Sequence, residues 1–388
     1  MPTDTRPVTS VWDDLPGQEH AVTALRRAVG GDGMTHAWLF TGPPGSGRSN
    51  AAIAFAAALL CPQGGCGECH ACRTALAGTH ADVTIHRTQS IQLRIHEAKE
   101  LIRQAALSPV GSRQVFIIED ADRFNDHSGN AMLKAIEEPH PRTVWLLCAP
   151  TLEDVLPTIR SRCRQVNLAT PTPRDVAAFL VRTEGVPEAV ASYAARASQG
   201  HIGRARALAL DEATRNRRRE VVSLPTRLTS LGACMTAATN LAEVAKEEAE
   251  AITGELDARE KSELDAAYGV EERGRRPREY GPALKEMLDD QKRRSRRRLI
   301  DHVDRGLMDL VSVYRDAIAL ALGAPVDLVN QEMRGDIAEL VRDSTPELNV
   351  RRIDWIFEAR EQMVEFNVPV QLALESMMVA LKVPSRGD

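Results

Sequence analysis

Aromatic side chains are scarce in this chain: four Trp, four Tyr and seven Phe make up 4% of its 388 residues. With alanine abundant, that composition leans towards helix. A surplus of positive charge is also missing, since 49 Lys and Arg stand against 54 Asp and Glu for a formal net charge of −5. This excludes the global basic footprint of a dedicated nucleic-acid binder, so any DNA contact has to be local. Long apolar runs are absent as well. The longest uncharged one, Ala51 to Cys61, is too short to span a bilayer, and Met1 to Ser10 has no apolar signal core. The expectation is a cytoplasmic protein with no membrane partner. At this length two or three domains are expected, because single cores rarely grow past about 250–300 residues.

The spacing of a disulfide framework is lacking too. Four of the seven cysteines, Cys61, Cys66, Cys69 and Cys72, are crowded beside Gly64, Gly65 and Gly67. The pattern C-x4-C-x2-C-x2-C suits tetrahedral thiolate coordination of Zn²⁺. No position is reserved for water, so the site reads as structural. His70 lies inside the cluster and leaves a three-Cys-one-His set open.

What is present is a glycine-rich loop, Thr41 to Ser49, between the apolar run Ala37 to Phe40 and an alanine-rich helix, Ser49 to Leu60. In G-x-x-x-x-G-K-[ST] the glycines let backbone N–H groups converge on phosphates, the lysine reaches the β/γ oxygens and the hydroxyl ligates Mg²⁺. Gly42, Gly45, Gly47 and Ser49 fit a nucleotide site for ATP and Mg²⁺. Arg48 stands where lysine is expected, and a broad planar fork is no conservative stand-in for an ammonium.

Further strands are expected at 81–86, 114–120, 143–148 and 165–168, and helices at 18–29, 95–107 and 125–138. Strands alternating with helices predict a parallel sheet covered on both faces. The third strand delivers Glu119 and Asp120 at its end, where nucleotide-binding sheets place a metal-holding carboxylate and a water-orienting one. The segment Thr3 to Pro16 reads as polar, with Trp12 an isolated aromatic. The expected division is an α/β nucleotide-binding domain over 1–169 with the cysteine module, a small helical lid over 170–212, and an all-α domain over 213–388. Within the last, 243–271 is acid-rich and 273–298 basic, including Arg273, Arg275, Arg276 and Arg293 to Arg298. Two readings stay open for this insert: solvated helix faces attracting one another across a turn near 274–282, and a DNA-facing strip. The final helix carries Val370, Leu374, Met377, Met378 and Leu381 on one side, which suits a core or a partner's helix equally.

The order of the phosphate loop, the four-cysteine insert, Ala77 to Asp82, Asn130 to Pro139 and Ser161-Arg162-Cys163 resembles the clamp-loader AAA+ ATPases of bacterial DNA polymerase III. The resemblance covers residues 15–210, and the helical remainder by architecture alone. It implies a RecA-like AAA+ sheet domain, a lid and a helical collar that oligomerises. The implied partners are the gamma/tau motor subunits and the delta subunit, with the sliding clamp and primed DNA reached through the assembled complex. The family contains motors that hydrolyse ATP and a member degraded at its own ATPase site, and the departures here favour the second kind. Arg48 replaces the loop lysine and Asp120 the motor's glutamate. The polar sensor falls on Ala149 or Pro150, and the lid's sensor arginine on Gly203, with Arg204 one residue away. Arg162 is retained, and the resemblance implies that it reaches in trans into a neighbour's nucleotide site. Asn130 and Lys134 to Glu138 are expected to hold the acidic strand in register rather than to act chemically. The alternatives are an autonomous motor ATPase and a zinc-dependent DNA-binding module contacting DNA through 273–298.

Overall fold

The computed structural model describes residues 10–88, 92–270 and 277–382, the Ile252 side chain excepted. The chain divides into two units after Leu210.

The first unit runs α1 (Glu19–Val29), β1 (Ala37–Thr41), α2 (Arg48–Leu60), α3 (His70–Leu76), β2 (Val83–His86), α4 (Ile95–Ala105), β3 (Gln114–Ile118), α5 (Asp126–Glu137), β4 (Thr143–Ala149), α6 (Pro157–Arg160) and β5 (Arg164–Asn167). All strand pairs are parallel, in the order β2-β3-β4-β1-β5. Every residue of β1, β3 and β4 is buried. That is why these strands read as unbroken apolar runs, as they must where helices cover both faces. Successive side chains alternate between two cores. Trp38 and Phe40 meet the alanines of α2 on one face, while Leu39, Phe116 and Trp145 meet Met132 and Ile136 of α5 on the other. This is the RecA-like AAA+ arrangement, and it puts the phosphate loop and the end of β3 along the carboxyl edge of the sheet, where ligands of open α/β sheets bind.

Three further helices, α7 (Pro173–Glu184), α8 (Glu188–Ser198) and α9 (Ile202–Leu210), close a small core of their own around Phe179, Leu180, Ala194 and Leu208. The Thr-Pro boundary works as a helix start: Thr172 caps α7 reciprocally with Asp175, and Pro173 takes the first helical position.

The second unit is entirely helical: α10 (Glu212–Val222), α11 (Leu231–Ala267), α12 (Tyr280–Ala321), α13 (Arg334–Arg342), α14 (Pro346–Val364) and α15 (Val370–Leu381). The apolar stripe of α15 is core, with Leu374, Met377, Met378 and Leu381 all buried in this unit. A buried polar cluster ties α10 into it. Arg218 donates to Asp309 of α12 at 3.0 Å and also binds Asn330 and Glu332. Asp316 accepts from the backbone N–H groups of Val329 and Asn330 at 3.0 and 2.7 Å.

The charged insert lies on α11 and α12, which run antiparallel. Glu248 pairs with His302, Asp257 with Arg294, and Asp265 with Tyr280. Arg294 is buried and donates to Glu260 at 2.8 Å, an interaction that holds the Glu260 carboxyl below its usual pKa. Arg293 instead binds Asp290 on its own helix. Acid-to-base attraction between the two helices is therefore present. Arg273, Arg275 and Arg276 lie outside the described residues.

Candidate functional site

The loop leaves β1 at Gly42 and enters α2 at Arg48, turning through positive φ at Gly42, Gly45 and Gly47. Gly45 shows why glycine is required: a Cβ there would lie 2.3–2.5 Å from the Cα, Cβ and Cγ of His201. The next residue, Ile202, donates its N–H to the Gly45 carbonyl at 3.2 Å. The start of α9 thus docks directly on the phosphate loop. Gln18 braces the loop as well, donating to the carbonyls of Ser46 at 3.3 Å and Ala169 at 2.7 Å. At the sensor position Ala149 is buried, and the Pro150 carbonyl accepts the Gly42 N–H at 3.1 Å. Neither residue presents a side-chain donor.

Ser49 is half-buried in the first turn of α2. Beside it, Nη1 of Arg48 and Oγ of Ser46 are buried with no hydrogen-bond partner. Burial pulls the Arg48 pKa down, and the fields of Asp122, Asp120 and Asp154 oppose that shift. A guanidinium nitrogen and a hydroxyl left over at a helix N-terminus suit a phosphate oxygen. The Glu119 carboxylate does not suit a Mg²⁺ ion. Glu119, just past β3, is bound by the Nε of Arg87, just past β2. Asp120 faces Arg123 at 3.6 Å. A carboxylate whose charge is already met by a guanidinium is a poor ligand for a hard dication.

Arg162 follows α6. Its guanidinium binds Glu137 at the end of α5, the Thr158 carbonyl at 2.6 Å and the Ser161 hydroxyl at 3.2 Å. The side chain is 35% exposed, and none of these bonds reaches the Gly42–Ser49 loop. Its neighbour Cys163 is a packing residue, its thiol pushed up to about 12 by burial.

The sulfurs of Cys61, Cys66, Cys69 and Cys72 all lie within 4.8 Å of one another, a set that could hold a metal ion. Cys61 is 3.7 Å from both Cys66 and Cys69. Ligands about 2.3 Å from a tetrahedral Zn²⁺ would stand about 3.8 Å apart, so the donors fit. The set closes with four thiols, and His70 is exposed outside it. Trp12 corrects the sequence reading. It is buried at 4% exposure, and its indole donates to the Gly64 carbonyl at 3.3 Å. Val11 donates its N–H to Gly65 at 3.1 Å, and a Cβ on Gly65 would meet Val11 at 2.6 Å. The segment before α1 is therefore a strap lying on the cysteine module. Loading the module with Zn²⁺ and then chelating the ion is expected to release Trp12 and shift its emission to the red, read against a Trp12→Phe blank. An unshifted spectrum after confirmed metal loss would detach the strap from the metal site.

Residues 17–172 match the family described as DNA polymerase III, delta subunit. Through this region the chain is similar to DNA polymerase III clamp-loader subunits. Among its relatives, a Pseudomonas aeruginosa protein named DNA polymerase III subunit delta' is 35% identical over 173 residues, covering 42% of this chain and 52% of its own length. A Haemophilus influenzae tau/gamma subunit is 34% identical over 208 residues, covering 51% of this chain and 30% of its own length. The chain thus spans about half of the first relative and under a third of the second. A Bacillus subtilis delta' subunit aligns over 94% of this chain and 96% of its own length at 22% identity.

Three contacts around this loop escaped the sequence reading. Arg87 follows β2 as Glu119 follows β3, and the pairing of His86 with Ile118 makes them neighbours. Only that register reveals the ion pair. His201 on Gly45 and Gln18 on Ser46 join residues far apart in sequence, without any local signal. Among the described residues no helix is long and apolar enough to cross a membrane.

Proposed function

We propose that this chain is the delta-prime subunit of the DNA polymerase III clamp loader. In this role it acts as a stator that helps load the sliding clamp onto primed DNA. Its own nucleotide site is silent, and Arg162 serves as an arginine finger for the ATPase site of a neighbouring gamma/tau subunit. The observation that carries the reading is a contrast between two acid–base pairs. Arg87 neutralises buried Glu119 at the chain's own loop, whereas Arg162 stays at the surface in an exposed pair with Glu137. The first removes the dication-holding charge that phosphoryl transfer needs. The second leaves a guanidinium free to exchange partners. In this reading residues 170–212 form the lid, 213–388 a collar that assembles with gamma/tau and delta, and Cys61, Cys66, Cys69 and Cys72 hold a structural Zn²⁺.

The similarity to tau/gamma subunits keeps one other reading in view, an autonomous motor ATPase. Hydrolysis of Mg-ATP by the purified chain separates the two. Turnover is expected to equal that of an Arg48→Ala control. Sustained turnover that this substitution abolishes would establish the motor instead.

A further inference from the structure

Arg218, Arg294 and Arg352 are all buried in the second unit. Two of them have carboxylate partners, Asp309 for Arg218 and Asp257 with Glu260 for Arg294. Arg352 is the deepest of the three at 1% exposure, and among the described residues it pairs with no carboxylate. It stands on α14 and turns into the core. Its Nη1 donates to Asn349 Oδ1 at 3.0 Å, Asn349 donates to the Ser344 hydroxyl at 3.0 Å, and Ser344 to the Leu340 carbonyl at 2.6 Å. That relay occupies one corner of the guanidinium. Nε and Nη2 are buried with no hydrogen-bond partner. Their N–H bonds run parallel, forming the fork with which an arginine takes an anion.

In place of a carboxylate the fold sets an aromatic ring beside this cation. The guanidinium carbon lies 5.5 Å from the ring centroid of Tyr314 on α12. A ring face attracts a cation but carries no net charge. Burial pushes the Tyr314 phenol up, so it stays protonated and supplies no counter-charge. Its hydroxyl is likewise buried with no hydrogen-bond partner. Arginine cannot shed its own proton in a protein. One positive charge and three unused donors therefore lie in the core, and an ion left alone there is strongly unfavourable. A water molecule can accept the N–H groups without meeting the charge. An anion does both.

We propose that Arg352 binds a chloride-sized monovalent anion inside the second unit, held in the fork of Nε and Nη2 beside Tyr314. Full burial of both side chains selects a single-atom guest over a partner's carboxylate, which would have to carry its own chain into the core. The proposal draws on neither the phosphate loop nor Arg162, so it stands or falls apart from the clamp-loader reading.

The test uses the full chain and simple sodium salts. Exchanging methanesulfonate for chloride at constant ionic strength is expected to raise the midpoint of thermal helix loss by about 2–4 °C, rising with chloride as binding to the folded state alone requires. Arg352→Met puts an uncharged chain in the same place and is expected to lose that dependence. General effects of the two salts on the protein surface are common to both proteins and cancel in the comparison. A second measurement needs no variant: crystals of the native chain soaked in sodium bromide are expected to show an anomalous peak within hydrogen-bond reach of Nε and Nη2. Equal chloride dependence in the native chain and Arg352→Met overturns the proposal. So does a fork without an anomalous scatterer, which would assign its N–H groups to water.

Discussion

Replacing Arg162 with alanine is expected to leave this chain folded and to lower turnover at one neighbouring ATPase site by about 10³-fold or more, the scale on which arginine fingers act. The measurement is DNA- and clamp-stimulated ATP hydrolysis by a complex reconstituted with gamma/tau and delta subunits. Stability should barely move, because the ion pair that Arg162 makes with Glu137 is exposed, and such pairs contribute about 0–1 kcal/mol. Arg162→Lys should fail to rescue, since a point-like ammonium cannot bridge two phosphate oxygens as a planar fork can. Glu137→Gln separates the functional role from a local structural one. It removes the intramolecular partner and should leave stimulated turnover intact. Unchanged stimulated ATPase in Arg162→Ala would sink the finger assignment.

The largest effect on stability is expected at Arg218. This arginine is buried and binds Asp309, Asn330 and Glu332, so it fastens α10 to α12 and to the segment before α13. Arg218→Ala leaves the buried Asp309 carboxylate without its guanidinium, a loss of about 3–5 kcal/mol. Replacing both partners together, Arg218→Met with Asp309→Leu, should recover part of it, because no buried charge is then stranded, while the buried Asn330 Oδ1 still loses its donor. The measurement is the denaturant midpoint of helix loss. A single variant within about 1 kcal/mol of the native chain would mean that the network is not holding α10.

The strands and the phosphate loop were legible because burial on both faces writes a continuous apolar run, and because the loop needs glycine at fixed offsets. The cysteine cluster was legible for a similar reason, since four thiols within a short span are brought together by local geometry. Trp12 was misread because its partners, Gly64 and Gly65, lie some fifty residues away in a module whose own sequence says nothing about a strap. Arg87 was missed because its role depends on strand register, which no single strand encodes. Arg218 sits in α10 between half-buried Arg217 and exposed Arg219, and periodicity alone does not separate the buried arginine from its neighbours.

The strand order also sets a timetable for synthesis. β1 is an interior strand between β4 and β5, yet Ala37 pairs with Trp145 and Trp38 with Arg164, both more than a hundred residues further along the chain. At a ribosomal pace of about 5–20 residues per second, the Ala37–Thr41 segment waits roughly 5–20 s for its first strand neighbour. During that interval Trp38, Leu39 and Phe40 travel as an unpaired apolar strand on the nascent chain. The element that positions the phosphate loop is thus among the first made and among the last secured.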